Sequence, residues 1–124
     1  MRVFKNAWFD RFARKEKITA QVLWEAIERA EQGQVDADLG GGVIKQRIAR
    51  QGGGKSKGYR SIVLYRKGDK AFFVFGFPKS EQDNIRDDEA IQFKQMAKQV
   101  LALTDVQLQQ LVDRGQFQEI AKHA

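Results

Sequence analysis

The sequence predicts a single α+β domain, with helical segments at both ends and a block of strands between them. Apolar residues recur at helical spacing in two segments near the N-terminus and again between about residues 87 and 120. Between them, runs 59–66 and 71–77 have strand character and are joined by a tight turn. A chain of 124 residues is long enough for one core. We therefore expect one domain over residues 1–124, with a C-terminal helical extension at about 87–120.

The N-terminal third predicts a short strand followed by two helices that present an apolar face to a sheet. The strand covers Arg2–Lys5, and Asn6 is a suitable N-cap for a helix that begins at Ala7. Thr19 is the corresponding residue for a second helix, and Gly33 is placed to end it.

The middle of the chain predicts the sheet. After Asp36–Leu39 and a triple glycine, residues 43–50 alternate as a strand does. A glycine-rich basic loop, 51–58, separates this run from the strand at 59–66. The run 71–77 is apolar on both faces, which predicts a central strand.

The C-terminal part predicts two more helices and a short extended segment. Asp87–Glu89 place negative charge where a helix N-terminus favours it. Thr104 or Asp105 is a suitable cap for the last helix, Gly115 is placed to end it, and 117–120 is extended.

Charge and composition narrow the functional class. The 22 Lys and Arg against 16 Asp and Glu give a net charge of +6, which favours a polyanionic partner such as RNA, DNA or an acidic protein. The absence of cysteine excludes a disulfide scaffold and thiolate metal sites, and fits a reducing cytosol. The chain has no apolar run of about 20 residues and no signal-peptide pattern. We expect a cytoplasmic protein without a membrane partner.

Common cofactor and catalytic motifs are missing. The segment 52–56 ends like a phosphate-binding loop, but Ala49 stands where its first glycine is required. The lone His123, near the C-terminus, supports neither a nucleophilic triad nor a metal site. We therefore expect no metal and no cofactor.

Cations on neighbouring strands suggest phosphodiester chemistry without histidine. RNA can be cut by its own 2′-hydroxyl if other groups move protons and stabilise the developing charge. Lysine and arginine can share these tasks, and the chain supplies such a cluster: Lys45, Arg47, Arg60, Arg66 and Lys79.

Further RNA contacts are expected from the basic loop and from aromatic rings. Lys55 and Lys57 lie in the loop that follows the first strand of this block. Tyr59 is a candidate for stacking on an unpaired base, and Phe77 is the preferred one because it ends a strand beside Lys79. The other phenylalanines of that strand are expected in the core.

Three blocks in order resemble the RelE/HigB-like toxins of bacterial type II toxin–antitoxin systems. They are 41–48 (GGVIKQRI), 54–60 (GKSKGYR) and 75–85, which begins FGFPKSE and ends with Asn84-Ile85. The resemblance extends from about Val3 to about Ile120 and is closest over 41–85. It implies a microbial-RNase fold, with two N-terminal helices on one side of a curved antiparallel sheet.

The resemblance also implies an activity. Family members mostly cut mRNA in the ribosomal A site, leave a 2′,3′-cyclic phosphate and need no metal. By position, Arg47 and Arg60 would hold and neutralise the scissile phosphate. Lys79 would take part in proton transfer or charge stabilisation, with the assignment of acid and base left open.

The same resemblance implies a partner and leaves alternatives open. Such toxins are neutralised by a cognate antitoxin protein. Gyrase-directed toxins of the ParE type share the fold without cutting RNA, and a non-catalytic RNA-binding module is a third reading. Some family members use a tyrosine or histidine near the C-terminus, where this chain offers only His123.

Overall fold

The computed structural model describes residues 1–50, 58–82 and 84–122. Strands and helices alternate in blocks along these residues. In chain order they are β1 (Arg2–Asn6), α1 (Ala7–Glu16), α2 (Ala20–Glu31), β2 (Ala37–Gly40), β3 (Val43–Ile48), β4 (Tyr59–Arg66), β5 (Lys70–Pro78), α3 (Asp87–Val100), α4 (Asp105–Asp113) and β6 (Phe117–Glu119).

The strands form one sheet in the order β2-β3-β4-β5-β1-β6. This confirms the α+β class and the interior position of β5. The sheet is mixed, however, because β1 pairs with β5 in parallel while the other pairings within the described residues are antiparallel. Parallel neighbours need a long crossover, and here the chain from α1 to β4 provides it.

Side chains cap the helices where the sequence predicts. The side chain of Asn6 accepts a hydrogen bond from the backbone N–H of Phe9 at 2.8 Å, and the hydroxyl of Thr19 accepts one from Val22 at 3.3 Å. Of the two candidates for α4, Thr104 is the cap, and its hydroxyl accepts from the backbone N–H of Gln107. These caps satisfy amides that would otherwise be unpaired at the helix start.

The strand β2 was not predicted, because aspartate and glycine are poor strand formers. It forms because the following turn folds it back onto β3. Gly41 and Gly42 are the central residues of that turn, with φ of +63° and +83°. Two consecutive positive φ values are typical of the hairpin turn that matches strand twist, and glycine adopts them without strain.

Helices cover both faces of the sheet, and each face has its own core. Helices α1 and α2 pack on one face, around a cluster that includes Phe9, Ile27 and Phe73. Helices α3 and α4 pack on the other face, around a cluster that includes Leu64 and Leu108. The C-terminal helices therefore belong to the folded domain rather than projecting from it. In the described ranges no helix is both long and apolar enough to cross a membrane.

A buried amide, Gln46 of β3, joins three parts of the chain. Its side chain is fully buried and donates hydrogen bonds to the carbonyls of Ala26 (2.9 Å) and Gln34 (3.0 Å). Its carbonyl oxygen accepts from the backbone N–H of Asp36 at 3.0 Å. The middle of α2 and the segment 34–36 are thereby fixed to β3.

Replacement of this amide by an isosteric apolar group is expected to destabilise the fold. In Gln46→Leu the two carbonyls and the amide of Asp36 lose their partner, which we expect to cost about 2–4 kcal/mol. The midpoint of urea unfolding measures this cost. The matched control is Gln21→Leu on the exposed side of α2, which we expect to change stability by less than about 0.5 kcal/mol. Equal effects of both variants would contradict this role of Gln46.

An ion pair fastens β6 beside β1 and predicts a pH dependence. The bidentate bond from Arg2, with contacts of 3.0 and 2.9 Å, lowers the pKa of Glu119 against the opposing effect of burial. A pKa that is lower in the folded state than in the unfolded state adds to stability. This contribution is present at pH values above the unfolded-state pKa of about 4.3, and it is lost as the pH falls through the folded-state pKa. We expect Glu119→Gln to cost about 0.5 kcal/mol at pH 7 and nothing near pH 2, because the pair is partly exposed. Unfolding at both pH values measures this, and an equal loss at both would indicate a packing effect instead.

Candidate active site

Two predicted arginines face each other across the strands β3 and β4. Arg47 is directly opposite Arg60 in the register, and Arg60 is directly opposite Phe77 of β5. Opposed residues of antiparallel strands project from the same face, with Cβ atoms about 4.5–5.5 Å apart. This is the face that α3 and α4 cover nearer the other end of the same strands.

The two predicted lysines belong to the same face. Lys45 precedes Arg47 by two residues, so strand alternation places both on one side. The backbone N–H of Lys79 donates to the carbonyl of Gly58 at 3.1 Å, which continues the ladder one step beyond the Tyr59–Pro78 pair. Continued alternation places Lys79 on the side of Phe77. Both lysines are half-buried. The fold thus brings together the three residues predicted to be catalytic, with Lys45 beside them.

The two arginines carry like charges on neighbouring strands, and one of them is largely buried. Arg60 is only 9% exposed, although arginine is rarely buried without a partner. No ion pair or hydrogen bond joins its guanidinium to another of the described residues, and its nitrogens are not among the fully buried atoms that lack a partner. A like charge opposite it across the strands adds repulsion. A phosphate between the two guanidinium groups would relieve both costs by bidentate hydrogen bonding.

The backbone of Arg47 is held from both sides by residues that the sequence analysis did not identify. The carboxylate of Asp36 accepts a hydrogen bond from its N–H. The guanidinium of Arg29, at the end of α2, donates to its carbonyl at 2.6 Å. No sequence pattern marks these contacts, because they join segments 11 and 18 residues apart through tertiary packing.

Two residues predicted to bind RNA lie away from the arginine pair. Tyr59 points to the opposite face, where it packs edge-on against Phe12 and its hydroxyl donates to Glu16 at 3.3 Å. Burial and the nearby Glu16 carboxylate raise the pKa of this hydroxyl. Arg66 ends β4 six residues from Arg60 and pairs with Asp69 at 3.5 Å. Neither residue is brought to the arginine pair.

Phe77 lies on the arginine face but is only 3% exposed. Its ring packs near Phe75, with centroids 6.1 Å apart, so its faces are not open to a base in this conformation. The other predicted contacts, Lys55 and Lys57, lie outside the described residues, as does His123. For these three the assignments stay predictions.

The assembled groups can perform part of the expected chemistry. The two arginines can bind a phosphodiester and stabilise the extra charge that forms on its oxygens during attack. Lys79 is the candidate for proton transfer, since the described part of this face contains no histidine. Among the described residues no group of three or more His, Cys, Asp or Glu side chains is arranged to hold a metal ion.

Comparison with known proteins gives one family match. Residues 1–120 match the family model described as the RelE toxin of the RelE/RelB toxin–antitoxin system. The match covers β1 to β6, including the arginine pair and Lys79. No curated protein matches the chain significantly.

Removal of the buried charge is expected to stabilise the protein. Arg60→Met keeps the apolar stem and removes both the desolvation cost and the repulsion by Arg47, so we expect a gain of about 1 kcal/mol. Urea unfolding of the folded chain without RNA measures it. The control is Arg66→Met on the same strand, exposed and paired with Asp69, with an expected change below about 0.5 kcal/mol. Destabilisation by Arg60→Met would show that the guanidinium has a structural partner.

Proposed function

Because this chain belongs to the RelE toxin family and is thus a toxin of a toxin–antitoxin system, we propose that it is a ribosome-dependent mRNA endonuclease. The observation that supports the proposal most strongly is the opposed pair Arg47 and Arg60, of which the second is buried without a carboxylate partner among the described residues. In a toxin that only docks to a protein, two opposed like charges would lower stability without a gain in function. In a nuclease, the same pair can bind the phosphodiester of the substrate. The proposed targets, mRNA and the ribosome, imply a cytoplasmic site of action.

The proposed reaction is an in-line transesterification. The 2′-oxygen of the nucleotide attacks the adjacent phosphorus, the bond from phosphorus to the 5′-oxygen breaks, and a 2′,3′-cyclic phosphate remains. Arg47 and Arg60 hold the phosphate and offset the charge that develops on its oxygens. The 2′-hydroxyl loses a proton, and the departing 5′-oxygen gains one. Lys79 accepts the first proton, donates the second or stabilises the developing charge. The side chains use no metal in this scheme.

Family membership also implies an antitoxin partner. We propose that the antitoxin masks the basic face with an acidic or amphipathic segment, since the chain carries a net charge of +6. Masking of Arg47 and Arg60 would block the phosphate site directly.

The alternatives make different predictions for the same residues. A gyrase-directed toxin on this fold keeps its toxicity when Arg60 and Lys79 are removed. A non-catalytic RNA-binding module binds RNA with a steep dependence on salt but does not arrest growth. The arginine pair favours a phosphate ligand, which both the nuclease and the binding module share.

Induced expression distinguishes these functions. We expect wild type to arrest growth and to create new mRNA 5′ ends. In Arg60→Ala/Lys79→Ala cleavage should fall by at least about 100-fold, because groups that stabilise the transition state are lost.

The matched control is Lys98→Ala/Arg114→Ala, which removes two exposed cations from the C-terminal helical region and should leave both effects intact. Circular dichroism checks that both double variants are folded. Arrest without new 5′ ends would contradict the nuclease, and arrest that survives in Arg60→Ala/Lys79→Ala would contradict the site.

A further inference from the structure

A cleft beside the arginine pair continues outward over the edge of the sheet. The strand β2 pairs with β3 only up to Lys45, so the outer edge of β3 beyond Lys45 has no strand partner among the residues that the structure describes. A cleft of about 550 Å³ lies along this edge. Its volume is within the range of about 300–1000 Å³ that is usual for ligand sites. It is lined by Arg47 and Arg60 and also by Arg29 and the segment 34–36.

Arg29 brings a third guanidinium into this cleft. It is held at the cleft by its hydrogen bond of 2.6 Å to the carbonyl of Arg47. That bond uses one of the five N–H donors of a guanidinium, and the others have no partner among the described residues. The position of Arg29 is therefore fixed by the fold, while most of its donors are available to a ligand.

Within the described residues, the charges that line the cleft are not neutralised by ion pairing. The described lining contains three arginines and one carboxylate, that of Asp36. This carboxylate accepts from the backbone N–H of Arg47 and makes no ion pair with an arginine among the described residues. The cleft therefore favours an anion that can engage more than one guanidinium, such as successive phosphates of a nucleic acid strand.

On the basis of the proposed action on RNA, we propose that Arg29 binds the phosphate adjacent to the scissile one. The flanking nucleotide of a single-stranded RNA then occupies the cleft along the outer edge of β3. With the scissile phosphate between Arg47 and Arg60, the strand continues outward and meets Arg29. Arg29 thereby extends the site from one phosphate to two.

The salt dependence of RNA binding tests this contact without requiring cleavage. The probe is a single-stranded RNA oligonucleotide whose 2′-oxygens are all methylated, which prevents cutting, and fluorescence anisotropy measures its affinity between 50 and 300 mM salt. Each phosphate contact adds about 0.7 to the slope of log K against log salt for single strands. We expect Arg29→Gln to reduce the slope by about 0.7 and the affinity roughly tenfold.

Two further variants separate the charge of Arg29 from its structural bond. Arg29→Lys keeps the charge and should retain the slope, whereas Arg29→Gln loses the charge and, because its amide ends two bonds short of the donating guanidinium nitrogen, also the bond to the carbonyl of Arg47. Arg114→Gln removes an exposed charge at the end of α4 and should leave the slope unchanged. An unchanged slope in Arg29→Gln, or an equal reduction in Arg114→Gln, would overturn the proposal and leave Arg29 only as a cap of the β3 edge.

Neutral linkages identify the phosphate. The probes are oligonucleotides in which one phosphate at a time is replaced by an uncharged methylphosphonate. One replacement should lower the affinity of the wild type most, and we assign that position to the scissile phosphate. We expect a replacement next to it to lower the affinity of the wild type but not that of Arg29→Gln. Loss of affinity in Arg29→Gln at every position alike would overturn the assignment. This outcome is independent of the proposed nuclease activity. A slope that falls in Arg29→Gln, together with no cleavage in cells, would support the phosphate contact of Arg29 and contradict the nuclease. Cleavage in cells, together with a slope that Arg29→Gln leaves unchanged, would support the nuclease and contradict the contact.

Discussion

The hydrogen bonds of the buried Gln46 amide are the constraint on which the geometry of the site depends. The polar groups of a fully buried amide must be hydrogen-bonded. Here the partners of the amide are Ala26 in α2 and the segment 34–36. Once that segment is fixed, Asp36 meets the N–H of Arg47, and Arg29 of α2 meets its carbonyl. The outer edge of β3 is thus satisfied by side chains where a further strand would otherwise pair. This leaves a cleft beside the arginines instead of a covered edge.

We expect the arginine pair to lower the local stability of the sheet. Two arginines are opposed across the strands β3 and β4, and one of them is almost fully buried. Rigid strands with a well-packed core hold such a pair in place, because separation of the two charges would require disruption of the sheet. The opposite face shows the contrast, since Tyr59 there has both a ring partner and a hydrogen-bond partner. Opposed like charges without a carboxylate partner among the described residues are typical of a functional site.

The fold was largely predictable because its signals are local. Asn6, Thr19 and Thr104 cap helices through bonds that span three residues, and such patterns are visible in the sequence. The strand β2 escaped prediction because it is stabilised by its pairing with β3 rather than by its own composition. The parallel position of β1 also escaped, since strand order depends on contacts between distant segments.

The sequence by itself determined the family, the α+β class and the basic character, because motif residues and periodicity are properties of neighbouring positions. It also singled out Arg47, Arg60 and Lys79 as candidates, and their roles stay predictions. Tertiary structure alone decided which cations lie close together: the register brings Arg47 and Arg60 opposite each other, whereas Arg66 lies at the other end of its strand. It also decided that Phe77 is buried and that Arg29 joins the cleft. Burial and proximity arise from packing between segments far apart in the chain, which no local pattern encodes.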